Sequence, residues 1–210
     1  MEKIFSLIKE ANDEVLWMFS RDVHDLILEK YYITYWPDVP EGFDESKTKS
    51  IEMIVNLHEC KNILDVGCGY NHFKDKFPEA KFTAIEPFID GADYKMTVTE
   101  YQRNFPDRQY DCVMALGSIN FGPRAKILEE VEAIDKLTRP EGIQIWRVNP
   151  RDKPFVDERF PISELIQYFS WDEPFIRHIS EVYNYKLIEY KEEMNYSNDR
   201  RIFFIMKKGL

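Results

Sequence analysis

The stretch Ile63-Leu64-Asp65-Val66-Gly67-Cys68-Gly69-Tyr70-Asn71 decides the fold. Four residues of buried-strand character run straight into glycines at alternate positions, Gly67 and Gly69. Glycine there lets the backbone turn sharply and lets a ligand approach the main chain closely. The strand also carries an acid, Asp65, among Ile63, Leu64 and Val66. An ionised carboxylate beside a core is costly unless it is paired or hydrogen-bonded, so Asp65 calls for a reason.

The next apolar run, Phe82-Thr83-Ala84-Ile85-Glu86-Pro87-Phe88, closes on Glu86, 21 residues after Asp65. That is near the spacing at which an acid on the tip of the second strand grips ribose hydroxyls in nucleotide-type folds. From Asn62 onward short apolar runs alternate with amphipathic helical patterns, the signature of a parallel sheet covered on both faces. The pattern predicts strands at Ile63–Val66, Phe82–Glu86, Tyr94–Met96, Asp111–Leu116 and Ile143–Val148. Between the last two, Ile127, Leu128, Val131, Ile134 and Leu137 mark a helix face ended by Pro140 and Gly142. Beyond an irregular segment, 151–170, Phe175, Ile176, Ile179 and Val182 mark another helix. The runs YKLIEYKEE and RRIFFIMKK, separated by MNYSND, are expected to pair as an antiparallel hairpin.

Ahead of this region, residues 1–35 read as helical, with Ile4, Leu7, Ile8, Val15, Leu16, Phe19, Val23, Leu26 and Ile27 at helical spacing. Pro37, Pro40 and Gly42 break regular structure in the following stretch, read as a linker or lid, and Asp44 or Ser46 is positioned to cap a helix ending near Leu57. The expected organisation is a helical extension or lid over 1–45 and a ligand-binding domain over 46–210.

Together, Asp-x-Gly-x-Gly on the first strand, an acid closing the second, YDCVMALGS as a fourth, LTRPEG before the fifth and the final hairpin resemble class I S-adenosylmethionine-dependent methyltransferases, of methyltransferase type 11-like character. The resemblance covers about residues 46–208. It implies an α/β fold: a seven-stranded, mixed, mostly parallel doubly wound sheet of order 3-2-1-4-5-7-6 with strand 7 antiparallel, here with an N-terminal helical extension. It also implies S-adenosyl-L-methionine as cofactor, over the carboxyl ends of strands 1 and 2, where open α/β sheets bind ligands.

Position by position, the resemblance implies that Asp65 orients the methionine end of the cofactor and that Gly67, Cys68 and Gly69 line it. Glu86 would accept from both ribose hydroxyls, and Pro87, Thr97 and Val98 would border the adenine. Leu116 and Gly117 would lie beside the sulfonium. Two positions depart from the pattern. Asn71 stands where a third small residue is usual and could place an amide near the amino-acid end of the cofactor, and Thr97 replaces the acid that often receives the adenine amino group. The fourth strand lacks the Asn/Asp-Pro-Pro-Tyr/Phe motif, and Asn149-Pro150 follows the fifth strand instead, so methylation of adenine or cytosine amino groups loses support.

Dinucleotide dehydrogenases share Gly-x-Gly, but their fingerprint wants a third Gly or Ala where this chain has His72, and they need no acid two residues before the first glycine. His58, Cys60, Cys68 and His72 suggest zinc by residue type. A strand intervenes, and five extended residues at about 3.3 Å each put Cys60 over ~15 Å from Cys68, so no metal site is expected.

The candidates for catalysis are His72, a loop histidine that is either a general base or a solvated or structural residue, together with Asn120, Arg147 and Asn149, with Ser118 beside them, at the carboxyl ends of strands 4 and 5. Arg147 either binds a substrate carboxylate or phosphate or forms an ion pair with one of the many acids. Tyr31, Tyr32, Tyr35 and Trp36 either cover a substrate pocket or pack helix to sheet.

The chain has 210 residues, enough for one domain that needs no disulfide or metal staple. No apolar run approaches the roughly 20 residues of a membrane-spanning helix. MEKIFSLIKE does not read as a signal peptide, and three cysteines without CxxC spacing suit reduced thiols, so a cytoplasmic location is expected. Of the net charge of −10, most lies in residues 1–60, where six Lys or Arg face thirteen Asp or Glu. No basic stripe exists for duplex DNA. The expected activity is methyl transfer to an oxygen, nitrogen or carbon of a small or medium-sized acceptor. The alternatives are an RNA or nucleotide acceptor, read by Arg147, Arg151 and Lys153, and a catalytically inactive binding module that docks through its acidic helices.

Overall fold

The computed structural model describes residues 13–35, 45–150, 166–194 and 200–210. Its elements are α1 (Asp13–Tyr35), α2 (Glu45–Leu57), β1 (Asn62–Val66), β2 (Lys81–Ile85), α3 (Val98–Asn104), β3 (Tyr110–Leu116), α4 (Arg124–Leu137), β4 (Thr138–Val148), α5 (Glu173–Val182), β5 (Tyr185–Met194) and β6 (Arg200–Lys208). Expectations resting on residues 1–12, on the linker or lid stretch with Trp36, Pro37, Pro40, Gly42 and Asp44, on Arg151 and Lys153, and on the side chains of Val15, Leu16, Phe19 and Tyr35 fall outside what is described, as does most of the MNYSND turn.

The strands form one sheet of order β2-β1-β3-β4-β6-β5. β1 pairs in parallel with β2 and β3, and β3 with β4. β6 is antiparallel to both β4 and β5, so the expected hairpin is present. Side chains that alternate along β1 feed two cores. Leu64 and Val66 join Trp146, Trp171 and Phe204 under α4 and α5, while Ile63 joins Ile51 and Val55 of α2 with Phe77, Ile145 and Phe203. A smaller cluster, Leu28, Tyr31, Phe121 and Ile166, seats α1.

Among the described residues six strands form where seven were expected. Of Tyr94–Met96 only Tyr94 pairs, through a single parallel bridge to Ile85. The segment is pinned at both ends: Asp93 Oδ2 accepts the Ala84 backbone N–H at 2.9 Å, and Thr97 caps α3 through a capping box with Glu100. Too few residues lie between them for a ladder.

The boundary after α4 also shifts. The helix stops at Leu137, and β4 begins at Thr138 and runs through Pro140 and Gly142. Pairing with β3 slips between Tyr110 and Cys112, and Glu141 adopts φ 61°, so the breakers sit in an irregularity inside the strand.

On α1 the apolar periodicity finds the inward face only in part: Ile27 packs against the Leu28 and Tyr31 cluster. Val23 and Leu26 are 37% and 63% exposed, whereas Leu28 and Tyr31 are buried. The inward face contains His24, Asp25, Leu28, Tyr31 and Tyr32, at helical spacing. His24 Nε2 accepts the Gln167 backbone N–H at 3.1 Å, and Asp25 pairs with Lys126 of α4 at 3.2 Å.

Candidate functional site

β1, β2 and β3 end side by side, and the turns beyond them build one cavity. After Val66 the chain enters left-handed conformations at Gly67 (φ 65°), Gly69 (φ 55°) and Asn71 (φ 58°). The Gly67 and Cys68 backbone N–H groups both donate to Ile85 O, at 2.8 and 3.1 Å, which ties this turn to the end of β2. The two glycines serve different ends. A side chain at Gly67 would collide with Ser118, whose hydroxyl donates to Val66 O at 2.6 Å. At Gly69 and Gly117 a Cβ would meet nothing within 4 Å and would project into open space. Gly67 is thus needed for packing, and Gly69 and Gly117 leave a cradle free for a ligand.

Glu86 holds the cradle together. Its Oε2 accepts the Gly69 backbone N–H at 3.1 Å and its Oε1 that of Phe88 at 3.0 Å. The Ile89 backbone N–H donates to the same carboxylate, which still has acceptor capacity for a further donor. Burial raises its pKa, against the lowering effect of those backbone hydrogen bonds. Asp65 is buried beneath, between Ala84 and Met114 in the register. Burial first, then the negative charge of Glu86, pushes its pKa up to about 7, so an acid that would be fully ionised in water is poised to titrate.

The cavity has a volume of about 230 Å³ and is partly open to solvent. Of the sequence-predicted residues, Gly67, Gly69, Glu86, Pro87, Thr97, Val98, Leu116, Gly117 and Ser118 line it. Asp65, Cys68 and Asn71 stand behind the lining. Cys68 is buried, and its thiol, raised in pKa by burial, donates to Gly69 O at 3.6 Å. Asn71 Nδ2 donates to Gly91 O at 3.0 Å, which clamps the β1 turn to the segment after β2, while its Oδ1 is buried without a partner. The Thr97 hydroxyl is engaged by the Glu100 backbone N–H and carboxylate, at 3.3 and 2.8 Å, and does not replace the missing acid.

None of the four candidate catalytic residues is in the lining. His72 lies in the run of turns beyond the cradle beside Tyr70, and burial lowers its pKa. Asn120 is buried and acts as a brace: its Nδ2 donates to Gly117 O at 2.8 Å and its Oδ1 accepts the Asn149 N–H at 2.9 Å. Asn149 is held in turn by the Trp171 N–H, at 3.1 Å. Arg147 projects on the α2 face of the sheet, where its Nε meets Glu193 Oε1 at 2.7 Å.

Sequence reasoning missed Asp25, Leu28, Phe88, Phe121, Lys126 and Glu130, all of which line the cavity. The one usable signal was the Lys126–Glu130 spacing, which puts both side chains on one face of α4. Tyr32, an anticipated pocket residue, does line the cavity, stacked on Phe88 at 5.6 Å and edge-on to Phe121 at 5.7 Å.

The same architecture recurs in solved structures. Over 90% of both chains, the protein is similar to Burkholderia thailandensis 1,6-didemethyltoxoflavin-N1-methyltransferase with bound 1,6-didemethyltoxoflavin and S-adenosylhomocysteine, with a TM-score of 0.68 and 14% identity. The chain has the fold of the class I methyltransferases. It is also similar to magnesium protoporphyrin IX methyltransferase from Synechocystis PCC 6803 with bound S-adenosylmethionine, with a TM-score of 0.64, 11% identity, and coverage of 89% of this chain and 97% of that one. A third likeness is the N-methyltransferase NodS from Bradyrhizobium japonicum WM9, with a TM-score of 0.60, 13% identity, and coverage of 82% and 93%. No protein-family model matches the sequence, and no curated protein matches it. No described helix is long and apolar enough to cross a membrane.

Proposed function

We propose that this protein is a methyltransferase that binds S-adenosyl-L-methionine in the cavity at the tips of β1, β2 and β3 and methylates a small or medium-sized acceptor. The observation that carries the reading is the cradle: Gly69 and Gly117 open onto free space beside a buried Glu86 whose carboxylate, held by backbone N–H groups, still has acceptor capacity. In this reading Glu86 takes the ribose hydroxyls, and the apolar side chains of Pro87, Val98 and Leu116 border the adenine and the sulfur. Asp65, below the turn, supplies negative charge toward the amino-acid end, and Asn71 and Cys68 shape the turn without reaching the ligand. The cofactor, when bound, supplies an electrophilic methyl group on a sulfonium, which needs alignment more than acid–base assistance.

The chain's own contribution is to hold the turn, exclude water and orient the acceptor. His72, Asn120, Arg147 and Asn149 lie outside the cavity lining, so no general base is assigned to them. The small-molecule ligand of the Burkholderia enzyme supports an acceptor of that size, as do the walls here, which are mostly apolar. Of the residues proposed to read RNA, Arg147 is paired with Glu193, which removes its support for that alternative. The test is calorimetric titration with S-adenosylhomocysteine. Binding to the wild type that is lost in Glu86→Ala is expected, and absence of binding to the wild type overturns the reading. Formation of S-adenosylhomocysteine from S-adenosylmethionine with added acceptors would separate an enzyme from an inactive binding module.

A further inference from the structure

α1 forms the outer wall of the cavity through Asp25, Leu28 and Tyr32. At about 230 Å³ the cavity lies below the roughly 300–1,000 Å³ of small-molecule sites, so loading a cofactor and an acceptor together requires α1 to move. Its apolar seat is small, Leu28 and Tyr31 against Phe121 and Ile166. Two polar ties also join it to the body. His24 Nε2 accepts the Gln167 backbone N–H at 3.1 Å, and Asp25 Oδ1 meets Lys126 Nζ of α4 at 3.2 Å. The segment that His24 grips is itself fastened to the cavity rim, because Gly122 N–H donates to Gln167 O at 2.7 Å and Phe169 N–H to Asn120 O at 2.9 Å. The two ties communicate: His24 Nδ1 lies 3.7 Å from the same Asp25 oxygen that meets Lys126. A ring nitrogen that accepts from an N–H carries no proton, so the imidazole is neutral in this arrangement.

We propose that His24 is a positioning residue, which latches α1 over the site while it is neutral and releases α1 when it takes up a proton. Protonation puts a hydrogen on Nε2, which then faces the Gln167 N–H donor to donor, and that tie is lost. The same proton makes the ring a cation beside Asp25, which gives the carboxylate a charged partner on its own helix in competition with Lys126. Of the groups around the ring, Asp25 travels with α1 and is present whether the helix is seated or lifted. The partners met only when α1 is seated are the Gln167 N–H, with Tyr168 next in the chain, and the Lys126 ammonium; the donor and the like charge both disfavour the imidazolium. Glu130 of α4 faces Lys126 at 3.9 Å, and no ion pair joins it to His24 among the described residues. Burial raises the pKa of Asp25, but the hydrogen bond with His24 and the charge of Lys126 outweigh it, so the net shift is downward and Asp25 stays ionised while His24 titrates. The seated state therefore weakens as the medium is acidified from about pH 8 to 5, the span in which histidine ordinarily changes charge. The inference rests on the methyltransferase reading only for the identity of the ligands that a lifted α1 admits.

The test is hydrogen–deuterium exchange of the full chain, read by mass spectrometry on α1 peptides at pH 7.5, 6.5 and 5.5 and corrected for the intrinsic pH dependence of exchange. Wild-type α1 is expected to lose about tenfold in protection from the first pH to the last, while α4 and β3 peptides hold theirs. His24→Gln keeps an acceptor oxygen that does not titrate, and its α1 should stay protected at all three values. His24→Arg carries a permanent positive charge, and its α1 should exchange at pH 7.5 as wild-type α1 does at pH 5.5. Both variants keep Asp65, which titrates in the same range, so Asp65 cannot account for a difference between them. Constant protection of wild-type α1, equal pH dependence in wild type and His24→Gln, or wild-type protection in His24→Arg at pH 7.5 overturns the proposal. Calorimetry with S-adenosylhomocysteine at pH 7.5 judges the methyltransferase reading separately: absence of binding sinks that reading, and exchange in the free chain still decides the latch.

Discussion

The carboxylate of Glu86 accepts the backbone N–H of Gly69, 17 residues earlier in the chain, at 3.1 Å. This bond joins the two signals that stood out in the sequence, the glycine turn and the acid on the next strand, into one rigid unit. Glu86 therefore has a structural role before any ligand arrives. Glu86→Gln keeps the shape of the side chain but is neutral and replaces one acceptor oxygen with an amide. Hydrogen bonds to a charged group contribute roughly 1.5–3 kcal/mol. The variant should thus bind S-adenosylhomocysteine some 10- to 100-fold more weakly, read by calorimetry, and show increased amide exchange at Gly69. Wild-type affinity in this variant would exclude Glu86 as a ligand-binding acid.

Gly67 and Gly69 should respond differently to the same substitution. Both have positive φ, which costs a residue with a Cβ about 1–2 kcal/mol. Gly67→Ala also drives a methyl into Ser118 and threatens its bond to Val66 O, so a total loss of roughly 2–5 kcal/mol is expected in urea unfolding. Gly69→Ala has free space for its methyl and should lose only the φ term, yet that methyl occupies the cradle. A folded Gly69→Ala protein with impaired cofactor binding, beside a destabilised Gly67→Ala protein, is the expected pair. Equal stabilities would contradict the distinction.

These residues were legible in the sequence because their constraint is local: a left-handed turn leaves glycines, and an acid among apolar residues advertises itself. The closing hairpin was legible for a similar reason, since its alternation and spacing are contained within 25 residues. What escaped depends on neighbours remote in the chain. Tyr94–Met96 has the residue types of a strand, but Asp93 and Thr97 bind elsewhere and shorten it to a bridge. α1 turns a partly polar face inward because Asp25 has a partner on α4, 101 residues later, so hydrophobic periodicity picked Leu26 over Leu28. The Asp25–Lys126–Glu130 wall exists only once α1 and α4 meet.

Asp65 makes a pH-dependent prediction. Its folded pKa of about 7 lies above the ordinary carboxylate value of 3.8, so between these values the folded state binds more protons than the unfolded state. Its contribution to stability must then fall as pH rises through that window and level off above about 7. Asp65→Asn removes the titration. Relative to wild type, the variant should gain stability progressively from pH 4 to 7, reaching on the order of 2–4 kcal/mol at pH 8 in the free protein. Urea midpoints at pH 4.5, 6 and 8 measure this, and parallel wild-type and variant curves would refute it.

Arg147 offers a discrimination between two chemistries that its position at the end of β4 left open. Its guanidinium is 18% exposed and its partner Glu193, on β5, 17%, with the atoms 2.7 Å apart. β5 does not pair with β4 directly; β6 lies between them, with Phe203 opposite both Arg147 and Lys191. The ion pair thus spans a strand and helps fasten the edge of the sheet. A partly buried pair of this kind should show a coupling energy of about 1–2 kcal/mol in a double-mutant cycle of Arg147→Ala and Glu193→Ala, followed by urea unfolding. If the arginine is structural, Arg147→Ala leaves the affinity for S-adenosylhomocysteine unchanged, and Glu193→Ala shows the same pattern. If it reads a phosphate or carboxylate, the cycle shows little coupling, because freeing Arg147 from Glu193 costs nothing. Removing the arginine alone would then abolish binding of an anionic acceptor.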